Sequence, residues 1–147
     1  MKTYKVSGIV LKKQDIFEKD KTIDLFTPDK GKLRLLAKYA NTKSFKFSGT
    51  LEVTNFVEVV LYVGRSFHII TQAHALKSFS KLRTSFNHIA MAVFFIDLIQ
   101  KTTIQNQENK PLFDLLITSL NKLNDLEEVE QVKHYFYQNF VIIEGLS

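Results

Sequence analysis

The chain has 147 residues, a hydrophobic fraction of 45%, a formal net charge of +5 and no cysteine. That length allows one domain with a sizeable core or two small ones, and the hydrophobic fraction excludes an intrinsically disordered chain. The lack of cysteine excludes disulfides, thiolate catalysis and cysteine-ligated zinc, and it is compatible with a reducing cytoplasm.

Five strand-like runs fill the first half of the chain. Residues Met1–Tyr4 lead directly into the first run, so no secretory signal is expected. Gly8 lies inside that run, where a glycine marks a bulge or a tight bend, and Gly31 is expected to take a positive φ in a Pro-Asp-Lys-Gly hairpin turn. The predicted strands are Tyr4–Lys13, Lys21–Thr27, Lys32–Lys38, Leu51–Tyr62 and Phe67–Ala75.

The apolar pattern changes to helical spacing in the second half. The run Ile89–Ile99 is almost wholly apolar but too short to span a bilayer, which predicts a buried helix and no membrane partner. A second helix is predicted to begin at Pro111, and a third near Leu126 or Glu127 with its end at Gly145.

Short strands at this spacing predict a small closed barrel, of which the five-stranded OB-fold is the common form that meets nucleic acid. We therefore expect an α+β protein. An OB-fold β-barrel that binds nucleic acid is predicted at residues 1–79, and a small all-helical domain at residues 80–147.

The positive charge is concentrated in the first third of the chain. Residues 1–50 hold eleven Lys and one Arg against four Asp and one Glu, whereas residues 51–80 are balanced and residues 81–147 carry two more negative than positive charges. Such asymmetry favours a polyanion as the partner of the first third. The alternative is a solvated basic surface that only keeps the protein soluble.

Three cations are evenly spaced on the second strand of the hairpin. Because a strand has a period of two, Lys32, Arg34 and Lys38 are predicted to point from one face and to meet phosphates. Phosphate contacts of this kind carry no sequence information. The other candidate phosphate-binding residues nearby in sequence are Lys12, Lys19, Lys21, Lys30, Lys43 and Lys46.

Aromatic residues follow the basic hairpin. Phe45 and Phe47 are interleaved with lysines, and these rings and that of Tyr39 are candidates for stacking on DNA bases. The competing interpretation is that the phenylalanines plug the end of the barrel, which we favour for at least one of them.

The sequence offers little for catalysis. No glycine-rich phosphate loop is present. The four histidines, which include His88, do not recur at metal-ligand spacing. The acidic residues from Asp15 to Asp24 are interleaved with lysines, which is typical of a solvated strand edge; a metal-dependent nuclease is the remote alternative. We expect a protein that is not an enzyme, with no catalytic residue, no metal and no cofactor.

Short motifs then follow one another in a recognisable order: Gly8–Lys12, Glu18–Lys21, Leu25–Pro28 with Gly31-Lys32, Leu35–Lys38, Phe47–Glu52, Leu61-Tyr62 with Gly64-Arg65, and Ile70–Ala73. The helical stretch Pro111–Leu116 and the ending Phe140–Gly145 continue the series. This ordered set resembles the N-terminal part of the bacterial RecO family of DNA repair proteins, over nearly the whole chain.

The resemblance implies a mediator of recombinational repair of DNA damage in the RecF pathway. It implies binding of single-stranded and double-stranded DNA, annealing of complementary strands, and work with RecR to help RecA load where single-strand-binding protein covers DNA. It also implies a cytoplasmic, nucleoid-associated protein. The alternative function is a protein-interaction scaffold that does not bind DNA directly.

Two departures from the family pattern stand out. Family members usually carry extra basic residues just after the position matching Lys38, where this chain has Tyr39–Thr42. Many members also continue beyond the position of Ser147 into a four-cysteine zinc module and further helices. The helical domain is therefore expected to be truncated relative to the family.

The helical half is rich in apolar residues, which predicts an exposed apolar patch or, equally, an ordinary core. By resemblance, the partner of such a patch is the acidic, hydrophobic-ended C-terminal tail of single-strand-binding protein. Its terminal carboxylate needs a cation. The cations in this half are Lys81, Arg83, Lys101, Lys110, Lys122 and Lys133.

Overall fold

A computed structural model describes residues 2–145. Five strands come first, followed by a single 3₁₀ turn and three α-helices. The strands are β1 (Thr3–Ile16), β2 (Asp20–Thr27), β3 (Gly31–Ala37), β4 (Phe56–Tyr62) and β5 (Ile69–Lys77). The 3₁₀ turn is Leu82–Thr84, and the helices are α1 (Phe86–Thr102), α2 (Lys110–Asn124) and α3 (Val129–Ile143).

The strands form a closed barrel in the order β1-β2-β3-β5-β4, with β4 pairing back onto β1. Neighbouring strands are antiparallel except β3 and β5, which run parallel and pair only at Leu36 and Ile69. This is the strand order of the OB-fold. The predicted α+β fold, a five-stranded OB barrel followed by helices, is confirmed.

The irregularity of β1 does not lie at Gly8. Gly8 pairs regularly with Val57, and the register shifts only between Val10 and Lys12. The glycine is needed for a close approach instead, because a Cβ atom there would lie 2.6 Å from the carbonyl oxygen of Phe26.

The fourth strand begins at Phe56, so the predicted start at Leu51 is wrong. Leu51 lies in a turn, yet its side chain is fully buried in the barrel core. Between the two positions, Thr54 adopts a left-handed backbone (φ 82), and the Asn55 side chain donates to the Thr50 carbonyl (2.9 Å). The apolar pattern therefore predicted the burial of Leu51 correctly, but it did not predict the backbone conformation correctly.

The helices match the prediction apart from their end residues and the burial of the first one, in which Val93 and Phe94 are each 41% exposed. The third begins at Val129, later than predicted, because Leu126 has a left-handed backbone (φ 60) that no helix can include. Pro111 lies in the first turn of α2, as predicted, and α3 ends at Ile143, two residues before Gly145, whose φ is 74. Within residues 2–145, no helix is both long enough and apolar enough to cross a membrane.

Two apolar cores hold the molecule together. One fills the barrel, and the larger one joins the outer surface of β1 and β2 to all three helices. In the larger core, Phe26 of β2 lies against Phe113 of α2 with ring centroids 6.0 Å apart, and Phe95 stacks on Phe136 at 4.1 Å. The helices therefore pack directly on the barrel wall.

The tip of the β2–β3 hairpin is fastened to the connection between α1 and α2. Gly31 has a φ of 71, as predicted, and a Cβ atom there would lie 2.2 Å from the Gln107 carbonyl oxygen. Beside it, the backbone N–H of Asn106 donates to the Lys32 carbonyl (2.9 Å). Only glycine satisfies both the backbone conformation and the space at this junction.

Replacing Gly31 by alanine is expected to lower the free energy of unfolding by about 2 kcal/mol or more, because strain and a backbone clash add. The matched control is Gly49→Ala, where a Cβ atom meets nothing within 4 Å and the expected change is under about 0.5 kcal/mol. Urea unfolding midpoints measure both. Equal unfolding midpoints of the two variants would show that the contact between the hairpin tip and the α1–α2 connection does not require a glycine at position 31.

Candidate nucleic-acid interface

The predicted basic face of the hairpin is only partly exposed. Lys32 and Arg34 do alternate on β3 as predicted, but Lys38 lies beyond the last residue of that strand, Ala37. The three cations therefore do not form one strand face. The two that remain on β3 lie where the end of α1 meets the barrel.

Lys32 is a structural residue. Its side chain is buried, and its ammonium donates to the carbonyl oxygens of Gln100 (2.9 Å) and Thr103 (3.0 Å) at the end of α1. Burial lowers the pKa of the Lys32 ammonium. Its positive charge meets the negative end of a helix, so it is not available to a phosphate.

Arg34 is held by a buried carboxylate. Its guanidinium donates to both oxygens of Asp24, from Nε at 2.8 Å and from Nη2 at 3.1 Å, and the Gln100 amide donates to the same carboxylate at 2.8 Å. Burial alone would raise the pKa of Asp24, but the hydrogen bonds from Arg34 and Gln100 outweigh it and lower that pKa. The hydrogen bond with Asp24 in turn raises the pKa of Arg34. The positive charge of Arg34 is therefore compensated by the carboxylate of Asp24.

The two phenylalanines of the β3–β4 connection face the barrel. Phe45 and Phe47 are half-buried, pack against the core inside the barrel, and meet edge-to-face with centroids 5.7 Å apart. This is the plugging arrangement, and it applies to both rings. Base stacking uses exposed rings, whereas both of these are partly covered by the barrel core.

Two other rings project into solvent at one end of the barrel. Phe17, in the β1–β2 turn, is 71% exposed, and Tyr39, just after β3, is 61% exposed. Both have left-handed backbones, with φ of 55 and 60. The Tyr39 N–H donates to the Asp20 carboxylate (2.9 Å), and the Asn41 N–H donates to the Lys19 carbonyl (2.9 Å), so the two segments are tied together.

Three of the predicted cations accompany these rings. Lys19 lies in the same turn as Phe17, Lys38 precedes Tyr39, and Lys43 follows in the next turn; all three are exposed. We call the set the basic-aromatic end of the barrel. It comprises Phe17, Lys19, Lys38, Tyr39 and Lys43.

The remaining predicted cations lie elsewhere or are paired. Lys21 is 2.5 Å from Asp15, and this hydrogen bond lowers the pKa of the Asp15 carboxyl. Lys46 lies over the Phe47 ring at 5.2 Å. Lys30 belongs to the opposite end of the hairpin, and Lys12 is exposed on β1 beside Asp24.

Phe17 was missed by the sequence analysis. A signal was available, because the residue falls in a turn of otherwise polar residues where no strand or helix period assigns it a core. An aromatic residue that no strand or helix pattern places in the core is a candidate for a functional role.

Lys32→Met is expected to lower the free energy of unfolding by about 2 kcal/mol, because two carbonyls lose a charged donor. Lys30→Met is the matched control: it removes the same charge two residues away from an exposed position, and a change within about 0.5 kcal/mol is expected. Urea unfolding distinguishes them. A Lys32 variant as stable as the control would show that the helix end does not need this ammonium.

Comparison with known proteins adds the family. Residues 1–79 match the family model described as "Recombination protein O N terminal". Among curated relatives, the DNA repair protein RecO of Dehalococcoides mccartyi strain BAV1 is 30% identical over 142 residues, which is 97% of this chain and 56% of that protein. The RecO of Clostridium novyi is 34% identical over 128 residues, 84% of this chain and 50% of that protein.

A solved structure, the Stn1-Ten1 complex of S. pombe, is 14% identical with a TM-score of 0.42, covering 67% of this chain and 78% of that one, which is too distant to bear on function. The chain spans about half the length of the curated relatives it matches. The family model covers more than half of the chain, and it does so over all five strands of the barrel. The chain belongs to the RecO family of DNA repair proteins.

Proposed function

We propose that this chain binds DNA through the basic-aromatic end of its barrel and acts as a mediator of recombinational repair. The observation that carries the proposal is the pair of exposed rings, Phe17 and Tyr39, beside three exposed lysines. Exposed aromatic rings beside lysines are the arrangement with which single-strand binders stack bases and follow the backbone. The lysines supply the charge that phosphates require.

This end suits single strands. A duplex hides its base faces, whereas a single strand offers one base to each ring while its phosphates run past the lysines. The left-handed backbones of Phe17 and Tyr39 and the hydrogen bond from the Tyr39 N–H to Asp20 fix the backbone that carries the rings. Double-stranded DNA is then bound through phosphate contacts alone.

Family membership extends the proposal to partners. As a RecO-type mediator, the chain acts beside RecR in the RecF pathway at the nucleoid, anneals complementary strands, and helps RecA to load on DNA covered by single-strand-binding protein. All of these are binding steps, so no enzyme activity and no cofactor are proposed. The competing function, an interaction scaffold without DNA binding, assigns no role to the exposed lysines.

The helical half offers a place for the tail of single-strand-binding protein. Phe94 and Tyr137 lie with ring centroids 6.1 Å apart on neighbouring helices, and Val141 follows Tyr137 by one turn. Phe94 is 41% exposed and Val141 38% exposed, and Tyr137 is partly buried. Arg83, Lys110 and Lys122 already bind groups of this chain. Lys133, one turn before Tyr137, is the cation we propose for the tail's carboxylate.

The triple variant Lys19→Ala, Lys38→Ala, Lys43→Ala is expected to flatten the salt dependence of binding to single-stranded DNA by roughly two units, at about 0.7 per phosphate contact. Fluorescence anisotropy over a salt series gives the log–log slope. The matched control removes three exposed cations of the helical half, Lys81, Lys101 and Lys110. Its slope is expected to equal that of the unmodified chain.

The outcomes separate the two functions. Equal flattening of the salt slope by both triple variants would mean that binding depends on the total charge of the chain and not on the position of the lysines. Absence of salt-dependent binding by the folded, unmodified chain would support the scaffold function instead and would remove DNA as the ligand.

The double variant Phe17→Asn, Tyr39→Asn is expected to weaken binding of single-stranded DNA by about tenfold or more, because each stacked base is worth on the order of 1–3 kcal/mol. Asparagine tolerates the left-handed backbone, so the turns remain intact. The salt slope stays unchanged, since no cation is removed. Unchanged affinity in the same titration would take the rings out of the DNA path.

A further inference from the structure

The barrel wall has a gap between β3 and β5. These strands meet where the Leu36 N–H donates to the His68 carbonyl (3.0 Å). Four residues earlier on the same edge of β3, the Lys32 carbonyl accepts from the Asn106 N–H (2.9 Å) of the α1–α2 connection. The edge of β3 is thus occupied at two positions, by two different segments, and is open between them.

Arg34 lies midway between the two occupied positions. Backbone groups of alternate residues in a strand point to the same edge, so the N–H and C=O of Arg34 point away from β2, as those of Lys32 and Leu36 do. Within residues 2–145, neither group of Arg34 has a hydrogen-bond partner across the gap. A free N–H and a free C=O side by side form a ready site for a planar donor–acceptor group.

A cavity of about 200 Å³ opens at this position. Phe67 and His68 line the side that leads into β5, and the amides Gln105 and Asn106 line the side of the α1–α2 connection. The Tyr4 hydroxyl is hydrogen-bonded to Nδ1 of His68, which fixes the imidazole ring. Aromatic rings, side-chain amides and a held guanidinium therefore surround one pair of free backbone groups.

We infer that this cavity is a subsite for a single nucleobase of bound DNA, an inference that rests on the proposed DNA binding. A base presents a donor and an acceptor next to each other in one plane, which complements the N–H and C=O of one extended residue. It also has two faces for the rings to cover. A peptide strand would need several consecutive free backbone groups, whereas here Arg34 alone is open.

The subsite lies within reach of the basic-aromatic end. Lys38 is four residues beyond Arg34 on the same segment, or about 13 Å of extended chain. A DNA strand that crosses the exposed rings can continue over the Leu36–His68 contact on the outside of the barrel and place one base in the gap beyond it. The cavity then contributes a contact that depends on the base rather than on the phosphates.

Chemical shifts of backbone amides test the subsite directly. The probes are the four deoxynucleoside 5′-monophosphates, with deoxyribose 5-phosphate as the control without a base. We expect a saturable shift of the Arg34 amide with at least one nucleotide and none with the sugar phosphate. An equal shift with the sugar phosphate would assign the cavity to phosphate and overturn the inference.

Ser66→Tyr fills the cavity from its exposed rim, and Ser80→Tyr adds the same side chain at an exposed position outside it. The first is expected to abolish the nucleotide-induced shift and to weaken single-stranded DNA binding by about tenfold. Its salt slope stays unchanged because no phosphate contact is lost. The second is expected to behave as the unmodified chain, and equal losses in both would overturn the subsite.

Failure of the subsite and failure of DNA binding give different results. If single-stranded DNA shifts the Tyr39 amide but no nucleotide and no DNA shifts Arg34, the subsite is refuted and the DNA function stands. If DNA shifts neither amide, both are refuted. A shift of Arg34 by an extended peptide, but by no nucleotide, would assign the gap to a protein strand and overturn the inference.

Discussion

The ammonium of Lys32 is the contact that decides where the end of α1 meets the barrel, beside the apolar core that joins the two halves. A buried charge persists only where hydrogen-bond partners surround it, and the last carbonyls of a helix lack donors of their own. Gln100 and Thr103 supply such carbonyls to Lys32, and the Gln100 side chain also binds Asp24. One polar cluster therefore fixes where α1 ends against the hairpin, and the α1–α2 connection then meets the hairpin tip at Gly31.

That junction also decides which surface is left open for the proposed binding of DNA. The outer face of β2 and β3 is the usual nucleic-acid surface of an OB-fold, together with the loops at its sides. Here the end of α1 and the core around Phe26 and Phe113 occupy part of this face. The surface that remains free lies at the margins of this face: one part is the end that carries Phe17 and Tyr39, and the other is the open edge at Arg34. Cations that are neighbours in sequence thereby divide into structural and exposed ones.

Much of the fold was predictable because its signals are local. Strand alternation, the turn at Gly31, Pro111 at the start of α2 and the end of α3 just before Gly145 each depend on residues a few positions apart. The predictions were wrong where a side chain is buried although its backbone is not extended. Leu51 is buried like a strand residue although it lies in a turn, since the barrel interior accepts an apolar side chain from any backbone that reaches it.

Of the candidate site, the sequence by itself determined the basic chain segment, because the excess of lysine in residues 1–50 is a property of composition. A polyanion as its ligand is a prediction from that excess. Only the tertiary structure decided which lysines face solvent. Lys32 and Lys38 look equivalent in sequence, yet one is buried against a helix end 68 residues away and the other is exposed. Local spacing cannot distinguish them, since the difference arises from packing between segments that are distant in the chain and close only after folding.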